Sequence, residues 1–240
     1  MENEPTKYFP QETNLFRAFK KAGFEPRVFF EIGSSDSGWS YEMATLFPAS
    51  RFHLFEPLID YRDVYRENTA TILRARPNFK VHKVAVGDYD GTIKMGVDAS
   101  GHGSSILVPE MNETFTEMIE VPIRRLDTLA FEEDLPRPEV LKIDVQGAEL
   151  NVLSGAGSLL TAVQLIQAEV WLTRGYWEQT PLLFEISEYL NARGFLLVDS
   201  GGSYYSDLHE LYAIDAFFAR RDLLEQYANK LPKGSLTGEG

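Results

Sequence analysis

Four carboxylates stand where an α/β chain does its chemistry. Glu31, Glu56, Asp144 and Glu169 each fall at or near the end of a short apolar run: VFFEI at 28–32, RFHLFEP at 51–57, LKIDV at 141–145 and VQLIQAEV at 163–170. Such runs read as strands buried on both faces, the habit of a parallel sheet. Open α/β sheets bind ligands outside the carboxyl ends of their strands, so acids there are candidates for cofactor or acceptor contact. A carboxylate in that position can accept from a hydroxyl, face an ammonium group or take up a proton.

The first run leads into Gly33-Ser34-Ser35-Asp36-Ser37-Gly38, then a helical segment from Trp39 to Phe47 stopped by Pro48. Strand, small-residue turn and helix N-terminus together make a nucleotide-type site, because backbone at 33–36 can lie close against a ligand. Glu56, with Pro57 beside it, ends the second strand about 20 residues past that turn, where an acid can accept from both hydroxyls of a ribose. The next strand end, Ala85-Val86-Gly87-Asp88, falls where adenine lies in such a site. There Val86 would offer a backbone N–H and Asp88 would accept from an amino group. The first loop is not G-x-G-x-x-G, which weighs against an NAD-dependent oxidoreductase.

At the acceptor end the candidates are Asp144 and Glu169, neighbours if their strands are adjacent. Two such carboxylates suit a base–acceptor pair or oxygen coordination of a divalent cation. No third ligand stands out, so a metal is possible but not expected. Of the histidines, His53 and His82 lie within strands and read as structural. His102 in DASGHGSS and His209 in SDLHELY lie in loops, where an imidazole could act as a general base. Trp39 and the cluster Trp171, Tyr176 and Trp177 could line an acceptor pocket.

Elements to hold these residues follow in order. A leader (1–13) precedes a short helix from Leu15 to Ala22, capped by Thr13 or Asn14. A second helix runs from Leu58 to Arg76. Val81–Val86 and Thr92–Val97 read as strands joined by an Asp-Gly turn. Asp127 caps the next turn, and a helix opens at Gly147. Thr180-Pro181 reads as a helix start. Phe195–Asp199 and Tyr212–Ala219 read as an antiparallel pair joined by a polar, Gly-rich loop. The fold class is therefore α/β, a Rossmann-like, mostly parallel central sheet with a C-terminal antiparallel hairpin, spanning 28–222. Residues 1–27 precede it, and 223–240 are a helix end and a disordered tail.

Composition bounds the partners. The 240 residues carry 23 basic and 36 acidic side chains, a formal charge of −13. That balance repels a phosphate backbone and makes nucleic acid a poor partner. Cysteine is absent, which removes disulfides and thiolate chemistry and suits a reducing compartment. No apolar stretch is long enough for a membrane span, and the first residues lack a signal-peptide core, so cytoplasm is the default expectation.

With these residues in view, the chain resembles the FkbM family of S-adenosylmethionine (SAM)-dependent methyltransferases. The segments FFEIGSSDSGWS (29–40), FHLFEP (52–57), VAVGDYDGTI (84–93), RLDTL (125–129), LKIDVQGAELNVLSGA (141–156) and YAIDAFFARRD (212–222) carry the likeness. It implies SAM as cofactor, with Glu31 facing the ammonium, Gly33, Ser34, Ser35 and Asp36 along the methionine part, and Asp144 at the border with the acceptor. It also implies O-methylation of a hydroxyl or carboxyl on a small molecule, sugar or natural-product scaffold. Two positions depart from the family pattern. Ser37 stands where the loop usually has its second glycine, and Gln146 where a second glutamate is common. The first departure leaves a second reading, a SAM-binding interaction protein without catalysis.

Overall fold

The structure is a computed structural model and describes residues 10–99, 102–107, 115–175 and 178–231. In chain order the elements are α1 (Pro10–Ala22), β1 (Val28–Ile32), α2 (Gly38–Leu46), β2 (Arg51–Phe55), α3 (Asp63–Ala75), β3 (Phe79–His82), β4 (Ala85–Gly87), β5 (Gly91–Asp98) and β6 (Phe115–Arg125). There follow α4 (Leu126–Glu132), β7 (Val140–Ile143), α5 (Glu149–Ala156), a 3₁₀ turn (Gly157–Thr161), β8 (Leu165–Trp171), α6 (Leu183–Asn191), β9 (Phe195–Tyr205), β10 (Leu211–Arg220) and α7 (Arg221–Tyr227).

Seven strands form the central sheet in the order β3-β2-β1-β7-β8-β10-β9. The pairs among β3, β2, β1, β7 and β8 are parallel, and β10 is antiparallel to both β8 and β9. The expected parallel sheet with a terminal antiparallel pair is what forms. Chain order reverses between β1 and β7, and that switch point is where a crevice opens at the strand ends.

Buried on both faces, β1 sends alternate side chains to opposite layers. Phe30 and Ile32 join Leu141, Ile143, Ile166 and Val152 on one face. Phe29 joins Phe16, Phe19, Trp39 and Phe52 on the other. Each fully buried side chain of this size contributes roughly 1.5–3 kcal/mol from water exclusion. The adjacent apolar residues of VFFEI therefore mark a strand with helices on both sides.

Several local expectations change. β3 stops at His82, and the chain tightens where the Val84 N–H donates to the His82 carbonyl. β4 then leaves the central sheet for a second one of order β4-β6-β5. Gly87–Gly91 is thus not a hairpin turn, because β6 lies between β4 and β5, parallel to the first and antiparallel to the second. β6 is long and buries alternate residues, so it offers more pairing than β4 alone can. α1 starts at Pro10 rather than at Leu15, a position that a fixed φ favours. α3 starts at Asp63 rather than at Leu58.

Thr180-Pro181 does not open α6. Leu182 is held extended by a parallel bridge to Trp171, and its N–H donates to Glu185 Oε2 at 2.6 Å, so the helix begins at Leu183. The polar stretch after Asp199 is mostly strand: β9 continues to Tyr205, with register shifts that absorb its glycines. The predicted tail from 232, and residues 1–9 of the leader, lie outside the described residues.

Candidate functional site

A cavity of about 460 Å³ opens at the carboxyl ends of β1, β2, β7 and β8, lined also by His102, Gly103, Ser104 and Ile106. Of the residues singled out in the sequence, Glu31, Gly33, Ser34, Ser35, Glu56, Pro57, Val86, His102, Asp144 and Glu169 line it. Asp36, Asp88 and His209 do not.

The loop after β1 winds tightly. Gly33, Ser35 and Ser37 all have left-handed backbone, with φ of 78°, 48° and 66°. Gly33 has a second constraint, since a Cβ there would stand 1.9 Å from the Asp144 carbonyl oxygen. Its side-chain freedom is therefore needed for approach to β7, besides any approach to a ligand. Ser37 adopts the conformation that a glycine would take, so the departure from the family pattern leaves the turn in place. The hydroxyl of Ser34 is buried in the cavity wall with no hydrogen-bond partner among the described residues. Asp36 is used locally, its Oδ1 accepting the Gly38 N–H at the start of α2.

Glu56 bridges two strands of backbone. Its Oε2 accepts the Ser35 N–H at 2.9 Å and its Oε1 the Leu58 N–H at 2.8 Å. Burial pushes its carboxyl up, against the pull of those two N–H groups. A carboxylate offers about four acceptor sites, so these two bonds leave acceptor capacity on a residue that lines the cavity. Tyr65, Val84, Ala85, Val86 and Met95 make the neighbouring wall. Asp88, on the exposed turn after β4, points its role elsewhere: its carbonyl accepts from Arg125.

Glu31 receives the Ser40 hydroxyl and lies 3.9 Å from the Lys142 ammonium. Burial pushes Glu31 up to about 7, with Lys142 acting in the opposite direction. Lys142 is itself buried on β7 and donates to Asp144 Oδ2 at 3.1 Å. The LKIDV run thus supplies a cation as well as an acid, because residues two apart on a strand share a face.

Asp144 and Glu169 are brought together by Gln146. Its amide nitrogen donates to Asp144 Oδ1 at 2.8 Å and to Glu169 Oε2 at 3.0 Å. Burial alone would raise Asp144, yet Lys142 and the Gln146 amide hold it below the ordinary carboxylate range. Burial and the negative charges of Asp144, Glu149 and Asp215 push Glu169 well above it. Glu149, at the first turn of α5, accepts the Val145 and Gly147 N–H groups through Oε1 and is pushed up to about 7 by burial. Beyond Glu169 the wall is aromatic, with Trp171 stacked on Tyr212 at 5.4 Å and Tyr204 donating to Asp215 at 3.0 Å.

The histidines separate. His102 lines the cavity with Nδ1 3.2 Å from the Ser35 hydroxyl, on the side of the Glu56 loop. His209 sits exposed at the tip between β9 and β10 with φ 59°, away from the cavity. His53 and His82 form a buried pair, 3.1 Å apart, below the site. Trp39 belongs to the core, its indole N–H donating to Gln167 at 3.0 Å. Trp171 does line the cavity, and Tyr176 and Trp177 lie outside the described residues. Sequence reasoning missed Tyr65, Tyr204 and Tyr212, which no local motif flags. Among the described residues no group of three or more His, Asp or Glu side chains is arranged to hold a metal ion.

Known proteins similar to this chain in sequence or fold include methyltransferases. The chain is 29% identical over 169 residues to the 2-O-methyltransferase NoeI of Sinorhizobium fredii, covering 65% of this chain and 68% of that protein. It is 27% identical over 203 residues to the AMB antimetabolite synthetase AmbE of Pseudomonas aeruginosa, where it spans 69% of this chain but 9% of the relative. The crystal structure of methyltransferase FkbM from Methylobacillus flagellatus KT superposes with a TM-score of 0.51 at 13% identity, over 81% of this chain and 43% of that one. That likeness concerns the fold. Residues 28–197, including the loop at Gly33 and the strand ends bearing Glu56, Asp144 and Glu169, match the methyltransferase FkbM domain, and the chain belongs to that family of methyltransferases.

Proposed function

We propose that the protein transfers the methyl group of SAM to a hydroxyl of a small organic acceptor. The observation that carries this reading is the division of one cavity into two chemistries. Around Glu56 are backbone-rich loop, a buried acid and an apolar wall; around Asp144 and Glu169 are carboxyls backed by aromatic rings. The first suits an amino-acid tail, a ribose and a flat base, and the unpartnered Ser34 hydroxyl leaves a polar group for such a ligand to satisfy. Glu31 would face the ammonium and Glu56 the ribose hydroxyls. Bound SAM supplies an electrophilic methyl on a good leaving group, so positioning the acceptor accounts for much of the rate.

The second end favours a hydroxyl over a carboxyl acceptor, since a carboxylate would be placed beside Asp144 and Glu169. A hydroxyl keeps its proton at neutral pH and needs a nearby base, which these acids provide. NoeI, by its name a 2-O-methyltransferase, fits the same direction. Ser37 keeps the loop in the glycine-like conformation, which favours an active enzyme over a binding protein without catalysis.

The test is direct. Calorimetry should show S-adenosylhomocysteine (SAH) binding and no binding of NAD. Labelled SAM incubated with a panel of glycosides, polyols and carboxylic acids should then label hydroxylated compounds. Absence of SAH binding, or label found only on carboxylates, would overturn the assignment.

A further inference from the structure

The arrangement of Asp144, Gln146 and Glu169 goes further than lining a pocket. One amide nitrogen donates to both carboxyls, so the two acids are no more than two hydrogen bonds apart across it. Gln146 is held for this in left-handed backbone, φ 57°, an unusual conformation for a side-chain-bearing residue. Like charges this close in a buried site do not both ionise freely, and such pairs share a proton. Lys142 at 3.1 Å places the negative charge on Asp144. Glu169 faces Asp215, its register partner on β10, so its surroundings keep the proton on that side.

We propose that Asp144 and Glu169, clamped by the Gln146 amide, form a one-proton carboxyl pair that discharges its proton when the positively charged sulfur of SAM enters the cavity, and that the ionised pair then takes the proton of the acceptor hydroxyl. This rests on the SAM reading above and adds the identity and arming of the base. In the transfer, the acceptor O–H bond breaks as the new O–C bond forms. The proton passes to the pair, and the S–C bond electrons leave on sulfur as a neutral thioether. Cofactor charge thus decides when the base is strong, so that deprotonation is coupled to the presence of the donor.

Other groups face the pair. Glu31 on β1 and Glu56 after β2 carry charge toward Asp144, and Glu149 at α5 carries it toward Glu169. From β9 and β10, Tyr204 and Tyr212 stand near Glu169, Tyr204 being hydrogen-bonded to Asp215. The positive charge of a ligand ammonium would also drive Glu31 to release its proton to solvent, but SAM and SAH both carry that ammonium. Only SAM carries the charged sulfur. The difference between the two ligands therefore isolates the pair.

Calorimetry of SAM and of SAH binding to the full chain, in buffers of different ionisation enthalpy and across pH 6 to 9, reads protons released per ligand. SAM should release more than SAH, by roughly half a proton or more at the maximum of the difference. Glu169→Gln, which mimics the protonated member, should still bind SAH and should abolish the difference. A second readout needs no variant: the carboxylic-acid C=O infrared band of the wild-type protein should weaken on adding SAM and persist with SAH. If both ligands bind and release equal protons at every pH, or if the difference survives in Glu169→Gln, the paired-base proposal is wrong. If SAH does not bind at all, the cofactor reading itself fails, and the inference with it.

Discussion

Gly33 and Asp144 meet backbone to backbone: the Cα of the loop glycine lies so close to the end of β7 that an added Cβ would stand 1.9 Å from the Asp144 carbonyl oxygen. The contact ties the two halves of the crevice together. One half is the turn after β1, the other the strand end that carries the acid pair. A change in this loop is therefore felt at Asp144.

Gly33→Ala is accordingly expected to cost stability as well as ligand binding. The clash is with main chain, which cannot rotate away, and φ of 78° adds left-handed strain. A loss of about 2–4 kcal/mol is expected from such a change. Urea denaturation measures it, and a midpoint equal to wild type would show that the loop is free to shift.

Glu56→Ala should show a double effect. Two backbone N–H groups, of Ser35 and Leu58, lose their acceptor in a buried site. Each orphaned donor costs about 1–3 kcal/mol unless water replaces the carboxylate. SAH affinity should fall by at least about tenfold, since a charge-assisted hydrogen bond to a ribose hydroxyl is worth roughly 1.5–3 kcal/mol. Glu56→Gln retains an acceptor for one N–H, and should recover part of the stability and little of the affinity. Equal SAH affinity in all three proteins would remove Glu56 from the cofactor site.

Ser37→Gly should stabilise the protein. Ser37 is fully buried, has φ of 66° and has no hydroxyl partner among the described residues. Relief of left-handed strain and of a buried unpaired hydroxyl outweighs the added chain entropy of glycine, for a net gain of about 1 kcal/mol. A thermal midpoint that falls instead would mean the hydroxyl is satisfied in solution.

Glu149 makes stability pH-dependent with a definite sign. Burial raises its carboxyl from the ordinary value of 4.5 to about 7 in the folded protein. The folded state then holds the proton more tightly than the unfolded chain, so this contribution is present below pH 4.5 and is lost as pH rises through 7. Glu149→Gln keeps an oxygen for the Val145 and Gly147 N–H groups and does not titrate. Between pH 5 and 8 the wild type should lose stability relative to this variant, on the order of 2 kcal/mol. A pH-independent difference would place Glu149 in a more polar setting.

How far the site was legible depended on range. Glu31, Glu56, Asp144 and Glu169 could be marked from the order of residues because strands that are buried on both faces announce themselves as apolar runs, and acids that end them must face the crevice. The LKIDVQGAE run likewise named its family. Asp88 and His209 were equally suggestive by type and loop position, but they face solvent. A turn residue's direction is set by which strand the next segment pairs with. β4 left the central sheet for β6, and β9 continued past its glycines, so both residues were carried outward.

From the order of amino acids alone came the strand–loop–helix unit at 28–47, the parallel sheet with its antiparallel end and the acids at the strand tips, because each depends on local periodicity and turn chemistry. Only the folded chain decided that Gln146 would span Asp144 and Glu169, that Lys142 would serve both Glu31 and Asp144, and that Gly33 was needed against β7. Each of those arrangements needs a residue from another strand, and burial sets the strength of the charges among them. Such facts arise when neighbours distant along the chain are packed side by side without water.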